Sequence, residues 1–144
     1  MQRKLTRKPR QPASRPSPII NFEDYTRAMT PLDRYRKHYL IFDYWNGELL
    51  DALQTRSVNP KRVKRASSES LAELRTMKTL VVESFASRVD PVIEERAKID
   101  QQLQGSFSES QANGLWRALD AQTRRIHREL FWRDVEDQLK TVTE

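Results

Sequence analysis

The sequence predicts an all-α fold: an elongated three-helix antiparallel bundle, made of a long αα-hairpin and one helix packed against it. Glycine occurs only three times in 144 residues, which argues against a fold with many tight turns. No segment alternates apolar and polar residues with the period of a strand. The chain is 37% hydrophobic and 32% charged, against about 45–50% and about 25% in typical domains. So polar a chain buries a thin core, which suits amphipathic helices.

Residues 1–21 are predicted to form a disordered basic arm in front of a helical domain at 22–144. The arm has four of the seven prolines and no acidic residue, and proline lacks the N–H that regular structure needs. The remaining chain has 20 basic and 20 acidic residues, so the net charge of +6 belongs to the arm. The arm is expected to contact an anionic surface, or else to act as a solubilising tail. Its basic residues are Arg3, Lys4, Arg7, Lys8, Arg10 and Arg15.

The first helix is predicted over residues 31–55. Thr30 can cap it, Pro31 suits its first position, and Asp33 can return the capping hydrogen bond. Asn46 falls in the middle of the apolar stripe and must find hydrogen-bond partners there. The stripe consists of Leu32, Tyr35, Tyr39, Phe42, Leu49, Leu50 and Leu53.

The second helix is predicted to start at residue 60 or 68 and to run to 104, with a kink near Pro91. Asn59 with Pro60, or the later Ser68, can start it. A break at Pro91 is the alternative, because Asp90 could cap a new helix there. The apolar stripe keeps its phase across Pro91, which favours one kinked helix. This stripe contains Leu71, Leu74, Met77, Val81, Phe85, Val89, Val92, Ile99 and Leu103.

The third helix is predicted over residues 109–140, after the turn QGSFSES. Ser106 with Glu109, or Ser108 with Gln111, has capping-box spacing, and Gly105 suits the end of the preceding helix. The apolar face of this helix changes direction near Phe131. A bend, or a change of neighbours along the helix, would explain that change.

The first helix is apolar nearly all round between Tyr39 and Trp45, which a surface helix of a monomer rarely needs. Leu40, Ile41 and Tyr44 lie opposite the main stripe, beside Lys37, Glu48 and Asp51. We therefore predict a second, outward interface for self-association or for a protein partner. The alternative is cover by the chain before Thr30 or by the end of the third helix. The predicted interface residues are Leu40, Ile41, Tyr44, Trp45, Phe131 and Trp132.

No residue pattern indicates catalysis, a cofactor or a metal. The chain has no cysteine, and neither His38 nor His127 has a glutamate three residues before it, as helical metal sites commonly require. There is no Gly-x-Ser-x-Gly turn and no glycine-rich phosphate loop. We expect a protein that is not an enzyme, with both histidines as packing or interface residues.

A rival interpretation is nucleic-acid binding. The segment KRVKR supplies Lys61, Arg62, Lys64 and Arg65, and these residues are predicted to bind an anionic partner together with the arm. A further basic cluster is Arg124, Arg125 and Arg128, with Trp132 or Tyr25 as stacking aromatics. No zinc finger, RNA-recognition motif or helix-turn-helix signature accompanies these clusters.

The sequence thus favours a non-catalytic adaptor, scaffold or assembly factor that acts by helix-mediated association with a protein partner or with itself. The alternative is a nucleic-acid-binding or ribosome-associated protein. The longest apolar runs are far shorter than the roughly 18 residues of a membrane span. Without cysteine or a secretory signal, we expect a cytoplasmic protein, with the mitochondrial matrix or another reducing compartment as alternatives.

Overall fold

The computed structural model describes residues 29–141 and is all-helical over that range, with no β-strand among those residues. The all-α class is therefore confirmed, but the described chain has four α-helices where three were predicted. A short 3₁₀-helix, Glu136–Gln138, follows the last of them. The four α-helices are α1 Pro31–Gln54, α2 Pro60–Thr79, α3 Glu83–Gln104 and α4 Glu109–Glu129.

Side-chain caps start three of these helices where the sequence pattern placed them. At α1, the Asp33 N–H donates to Thr30 Oγ1 at 3.0 Å, and the Thr30 N–H donates to Asp33 Oδ2 at 3.2 Å. Asn59 caps α2 by accepting from two backbone N–H groups. Of the two possible capping boxes before α4, the chain uses Ser108 with Gln111. Each cap satisfies backbone donors that the first helical turn leaves unpaired.

The prediction of one long second helix is wrong, because α2 and α3 are separate helices joined at Leu80–Val82. The backbone of this connection bonds to the end of the chain. The Val82 N–H donates to the Gln138 carbonyl at 2.7 Å, and the Lys140 N–H donates to the Leu80 carbonyl at 3.0 Å. An isolated antiparallel bridge joins the same two segments. Backbone pairing with a distant segment thus separates α2 from α3, and no local sequence pattern predicts that separation.

Pro91 lies inside α3 and is not the point of interruption. Proline cannot donate to the Ser87 carbonyl, but both residues are exposed, so water can satisfy that carbonyl. The continuous apolar phase led to the wrong prediction because both helices face one core. Met77 and Val81 are buried in the same cluster as Phe85.

The third predicted helix ends at Glu129, about eleven residues before the predicted end at 140. Leu130 takes a non-helical conformation, and its carbonyl accepts a 2.7 Å hydrogen bond from the Tyr35 hydroxyl. Burial raises the pKa of Tyr35 above its ordinary range, so this phenol stays protonated and donates. The change of apolar face near Phe131 therefore marks the end of the helix.

The helices form an up-down-up-down four-helix bundle in which each packs antiparallel on the next and α4 closes against α1. Short connections favour this order. Cross-helix pairs also establish the directions, since residue numbers fall along one helix as they rise along its neighbour. These pairs are His38–Glu73 and Glu48–Arg62 for α1 and α2, Ser67–Asp100 and Lys78–Asp90 for α2 and α3, and Tyr35–Leu130 and Asn46–Thr123 for α1 and α4.

The core consists of two apolar clusters separated by a buried polar layer. The first cluster lies towards the α2–α3 connection, and the second lies towards the loops that join α1 to α2 and α3 to α4. Every helix contributes to the polar layer, whose buried members are Asn46, Ser70, Arg96, Gln122 and Thr123. The layer falls between Phe42 and Leu49 on α1, and it occupies the corresponding level on the other helices.

Arg96 is the centre of the polar layer and is fully buried. Its Nε donates to Gln122 Oε1 at 2.7 Å, its Nη1 to Ser70 Oγ at 3.0 Å, and its Nη2 to Asn46 Oδ1 at 2.6 Å. Its guanidinium also lies 5.4 Å from the centre of the Phe42 ring. Burial lowers the pKa of Arg96 to about 10, because desolvation penalises the charged form. At neutral pH the group remains a cation held by neutral acceptors.

Further hydrogen bonds connect the layer to carboxylates nearer the surface. Gln122 Nε2 donates to Glu95 Oε1 at 2.9 Å. On the α2 side, the Ser70 hydroxyl donates to the Ser67 carbonyl at 3.1 Å, and the Ser67 hydroxyl donates to Asp100 Oδ1 at 2.6 Å. The Asn46 amide, predicted to need partners, donates to Thr123 Oγ1 at 2.7 Å as well as accepting from the arginine. A network so fully paired fixes the register of the four helices.

Across residues 29–141, none of the helices combines the length and apolar character needed to cross a membrane.

Candidate interaction surface

The outer face of α1 exposes two large apolar side chains. Leu40 is 48% exposed and Tyr44 is 63% exposed. They are four residues apart, so they are neighbours on one side of the helix. The opposite side of α1 is used by the core, which buries Phe42, Asn46 and Leu49. The outward face predicted from the sequence is therefore present at these two positions, while its role as an interface stays a prediction.

The other predicted interface residues on α1 are less exposed. Ile41 is half-buried. Trp45 is also half-buried and packs against the second cluster. The Tyr44 and Trp45 rings meet edge to face, with centroids 5.1 Å apart. Tyr44 is thus fixed on one side by an aromatic neighbour, and its other side faces out.

Beside these aromatics runs a shallow groove between α1 and α2, with a volume of about 460 Å³. It brings together residues that the sequence assigned to two different sites, an apolar interface and an anion-binding cluster. We name it the α1–α2 groove. Its lining residues are Tyr44, Trp45, Glu48, Asn59, Lys61, Arg62 and Arg65.

Part of the basic cluster on α2 is engaged inside the chain. Arg62 donates to both carboxylate oxygens of Glu48, at 3.0 and 3.2 Å. These hydrogen bonds hold the pKa of Glu48 below its ordinary value. The Arg65 guanidinium lies 5.1 Å from the centre of the Trp45 ring, a cation–π contact. Lys61 and Lys64 are exposed and have no ion-pair partner within residues 29–141.

Phe131 and Trp132 lie in the segment after α4 and cover the N-terminal half of α1. The Phe131 ring packs edge to face on Tyr39 at 5.8 Å and contacts Trp132 at 5.4 Å. The guanidinium groups of Arg36 and Arg133 lie 4.9 and 5.0 Å from the centre of a Trp132 ring. This is the cover by the end of the third helix that the sequence left open. It does not extend to Leu40 and Tyr44, which remain exposed.

The basic cluster predicted on α4, Arg124, Arg125 and Arg128, is paired with acidic residues. Arg124 pairs with Asp120 at 2.8 Å, and Arg125 pairs with Glu129 at 3.2 Å. Arg128 reaches the same glutamate at 3.7 Å. Ion pairs of this kind leave less positive charge available to phosphates.

Both histidines bridge helices. His38 Nδ1 lies 2.6 Å from Glu73 Oε1 on α2, and His127 Nε2 lies 2.7 Å from Asp43 Oδ1 on α1. Within residues 29–141, no three His, Cys, Asp or Glu side chains are arranged to hold a metal ion. The histidines thus contribute to helix packing.

The predicted arm lies outside the described residues. Its disorder and its role in anion binding stay predictions. The residues concerned are Arg3, Lys4, Arg7, Lys8, Arg10 and Arg15. Tyr25, the alternative stacking aromatic, also lies outside the described range.

No family model, curated protein or solved structure matches this chain. Its function must be inferred from its own residues.

Two features of the molecule escaped the sequence reasoning. Arg96 was missed, although it follows Val92 by four residues and precedes Ile99 by three, which puts it on the core stripe. Gly47 was missed as a member of the outer face, although it follows Tyr44 by three residues. In both cases the helical spacing contained the signal.

Proposed function

We propose that this chain is a non-catalytic helical adaptor or assembly factor that binds a protein helix along the outer face of α1. The single observation that carries the proposal is the exposure of Leu40 and Tyr44 on successive turns of that helix. Complete burial of a fully exposed side chain of this kind is worth roughly 1.5–3 kcal/mol, and roughly half of that remains to be gained at each residue before the costs of association. A helix laid along α1 would contact both at once.

The charges beside Tyr44 favour a partner helix that carries acidic residues on one flank. Lys61 and Arg65 line the α1–α2 groove next to this tyrosine. Opposite charges at the rim of an interface mainly accelerate association and select the partner, while buried apolar contacts supply most of the affinity. An acidic, amphipathic helix meets both requirements.

The basic arm has a separate role in this proposal. Its six positive charges and absence of acids support contact with an anionic surface, which nucleic acid, acidic protein or lipid headgroups could provide. We place the protein in the cytoplasm or another reducing compartment, in keeping with a chain that has no cysteine. Catalysis has no part in the proposal, since the sequence offers no nucleophile motif or phosphate loop.

Nucleic-acid binding is the second candidate, and the composition of the α1–α2 groove favours it. Tyr44 offers an exposed ring for base stacking, next to the exposed cations of Lys61 and Arg65. Against it, Arg62 is engaged by Glu48, and Arg124 and Arg125 of α4 are paired with acids. Binding of this kind would weaken steeply as salt is raised.

Affinity purification with the full-length chain separates the two candidates. Wild type, the double variant Leu40→Glu/Tyr44→Glu and a control, Gln101→Glu/Gln102→Glu, are compared with and without nuclease. The control adds the same two charges at exposed positions of α3. Captured proteins are identified by mass spectrometry, and circular dichroism verifies that each variant is folded.

We expect wild type and control to retain one set of proteins after nuclease treatment and the Leu40/Tyr44 variant to lose it. A purified member of that set should then bind wild type at least about tenfold more tightly than the variant. Unchanged binding by a folded Leu40/Tyr44 variant would refute the adaptor proposal. Capture that disappears with nuclease, or when the six basic residues of the arm are replaced by glutamine, would favour the second candidate.

A further inference from the structure

We propose that the occupant of the outer face of α1 is a second copy of this chain, docked antiparallel on the same face. This inference rests on the proposed function, because it names the partner for the same surface. The face contains five residues that repeat at spacings of three and four, the register of a coiled-coil seam. We name them the α1 stripe: Lys37, Leu40, Tyr44, Gly47 and Asp51.

The order of charges along the α1 stripe determines the partner and its direction. Lys37 lies about two helical turns before Tyr44, and Asp51 lies the same distance after it. A two-fold axis at Tyr44 would place the lysine of each copy opposite the aspartate of the other. Parallel docking would place like charges together. The α1 stripe is therefore complementary to itself only in the antiparallel direction, as a two-fold interface requires.

Lys37 and Asp51 are the charged ends of the α1 stripe, and the Arg62 guanidinium of α2 lies near enough to Asp51 to attract it electrostatically. Within residues 29–141, neither Lys37 nor Asp51 takes part in an ion pair. Both side chains are exposed. Some other exposed charges of the bundle are paired within the chain, as Arg124 is with Asp120.

Gly47 is the second, independent feature of the α1 stripe. It lies in the interior of α1, where glycine is unfavourable relative to alanine. A Cβ atom there would meet nothing within 4 Å, so packing inside the described chain does not require glycine. In the antiparallel arrangement, the Leu40 side chain of the second copy approaches this position, where the missing side chain allows close contact.

The dimer should be weak. One helix face with two large apolar side chains is smaller than a typical stable interface, and exposed ion pairs contribute little affinity. We expect a dissociation constant on the order of 10–100 µM. The charged pairs then serve mainly to select the direction of docking.

Charge reversal in the full-length protein tests this arrangement. Sedimentation equilibrium measures the dimer for wild type, Lys37→Glu, Asp51→Lys and their double variant. Each single variant puts like charges together and should weaken the dimer at least about tenfold. The double variant restores opposite charges, and so does an equimolar mixture of the two single variants, which should form a heterodimer. Lys98→Glu on α3 and Asp134→Lys after α4 are the controls, since both change exposed charges outside the α1 stripe.

The results separate this inference from the proposed function. A dimer that is weakened by either single variant and restored in their mixture supports antiparallel docking. The inference is overturned if the mixture fails to recover, or if the controls weaken the dimer equally. It also fails if wild type stays at 17.0 kDa at concentrations up to about 1 mM. In that last case, loss of a different protein by Leu40→Glu/Tyr44→Glu would leave the proposed function intact.

Discussion

The centre of the bundle and the outer face of α1 depart from ordinary protein packing in opposite ways. At the centre, the chain buries the charged side chain of Arg96, and three neutral side chains accept its hydrogen bonds. On the outer face, it exposes Leu40 and Tyr44. The two regions differ in what accompanies the unusual side chains. The buried arginine has hydrogen-bond partners within the same chain, whereas no described residue covers the exposed leucine and tyrosine. That contrast directs the search for function to the surface.

The largest expected effect comes from removing the buried cation. Arg96→Met should destabilise the protein by about 3 kcal/mol or more, because Asn46, Ser70 and Gln122 would lose a buried donor. Chemical denaturation at neutral pH measures the change. Arg117→Met on α4 is the matched control, because Arg117 is exposed and should change stability by less than about 0.5 kcal/mol. Equal losses of stability in the two variants would mean that the hydrogen bonds of the buried polar layer do not stabilise the bundle.

A smaller loss of stability is expected from removing one buried hydroxyl group. Tyr35→Phe removes the 2.7 Å hydrogen bond to the Leu130 carbonyl at the end of α4 and should cost about 1–2 kcal/mol. Tyr44→Phe makes the same chemical change on the outer face, where the hydroxyl is free to meet water, and should cost less than about 0.5 kcal/mol. Thermal unfolding of the two variants at equal concentration compares them. A greater loss from Tyr44→Phe would contradict the contrast between interior and surface.

The smallest change in stability is expected from replacing the two exposed apolar residues of α1. In dilute protein, Leu40→Gln/Tyr44→Gln should change the free energy of unfolding by no more than about 0.5 kcal/mol, because neither side chain is buried by the described chain. Urea titration is the measurement. A loss above about 1 kcal/mol would show that these residues stabilise the monomer, and the outer face would then need no second molecule.

Local patterns were sufficient for the starts of three of the four described α-helices, but not for α3, which begins after Val82 without a side-chain cap. The segment TPLD predicted the cap of α1, and Asn59 with Pro60, one of the two starts that the sequence left open, begins α2. Such caps depend on a few adjacent residues, so the sequence contains all the relevant information. Periodicity also identified the two exposed residues of α1, since which residues share a helix face follows from their spacing alone.

The ends of the helices could not be predicted in the same way. The interruption at Leu80–Val82 and the end of α4 near Leu130 both depend on backbone and side-chain contacts with distant segments. The preserved apolar phase hid the first of these, because two helices that face one core keep the same phase. Phe131 and Trp132 were predicted as interface residues. They pack over α1 because α4 ends before them and the chain then turns towards α1.

The sequence by itself determined that the chain is helical, which residues can cap the starts of α1, α2 and α4, and that α1 has apolar residues opposite its main apolar stripe. Each of these depends on interactions between residues close in the chain. Only the tertiary structure decided that there are four helices, that Arg96 has partners on three other helices, and that the α1–α2 groove joins aromatic to basic residues. These features depend on groups far apart in sequence, whose meeting requires the whole bundle to be assembled.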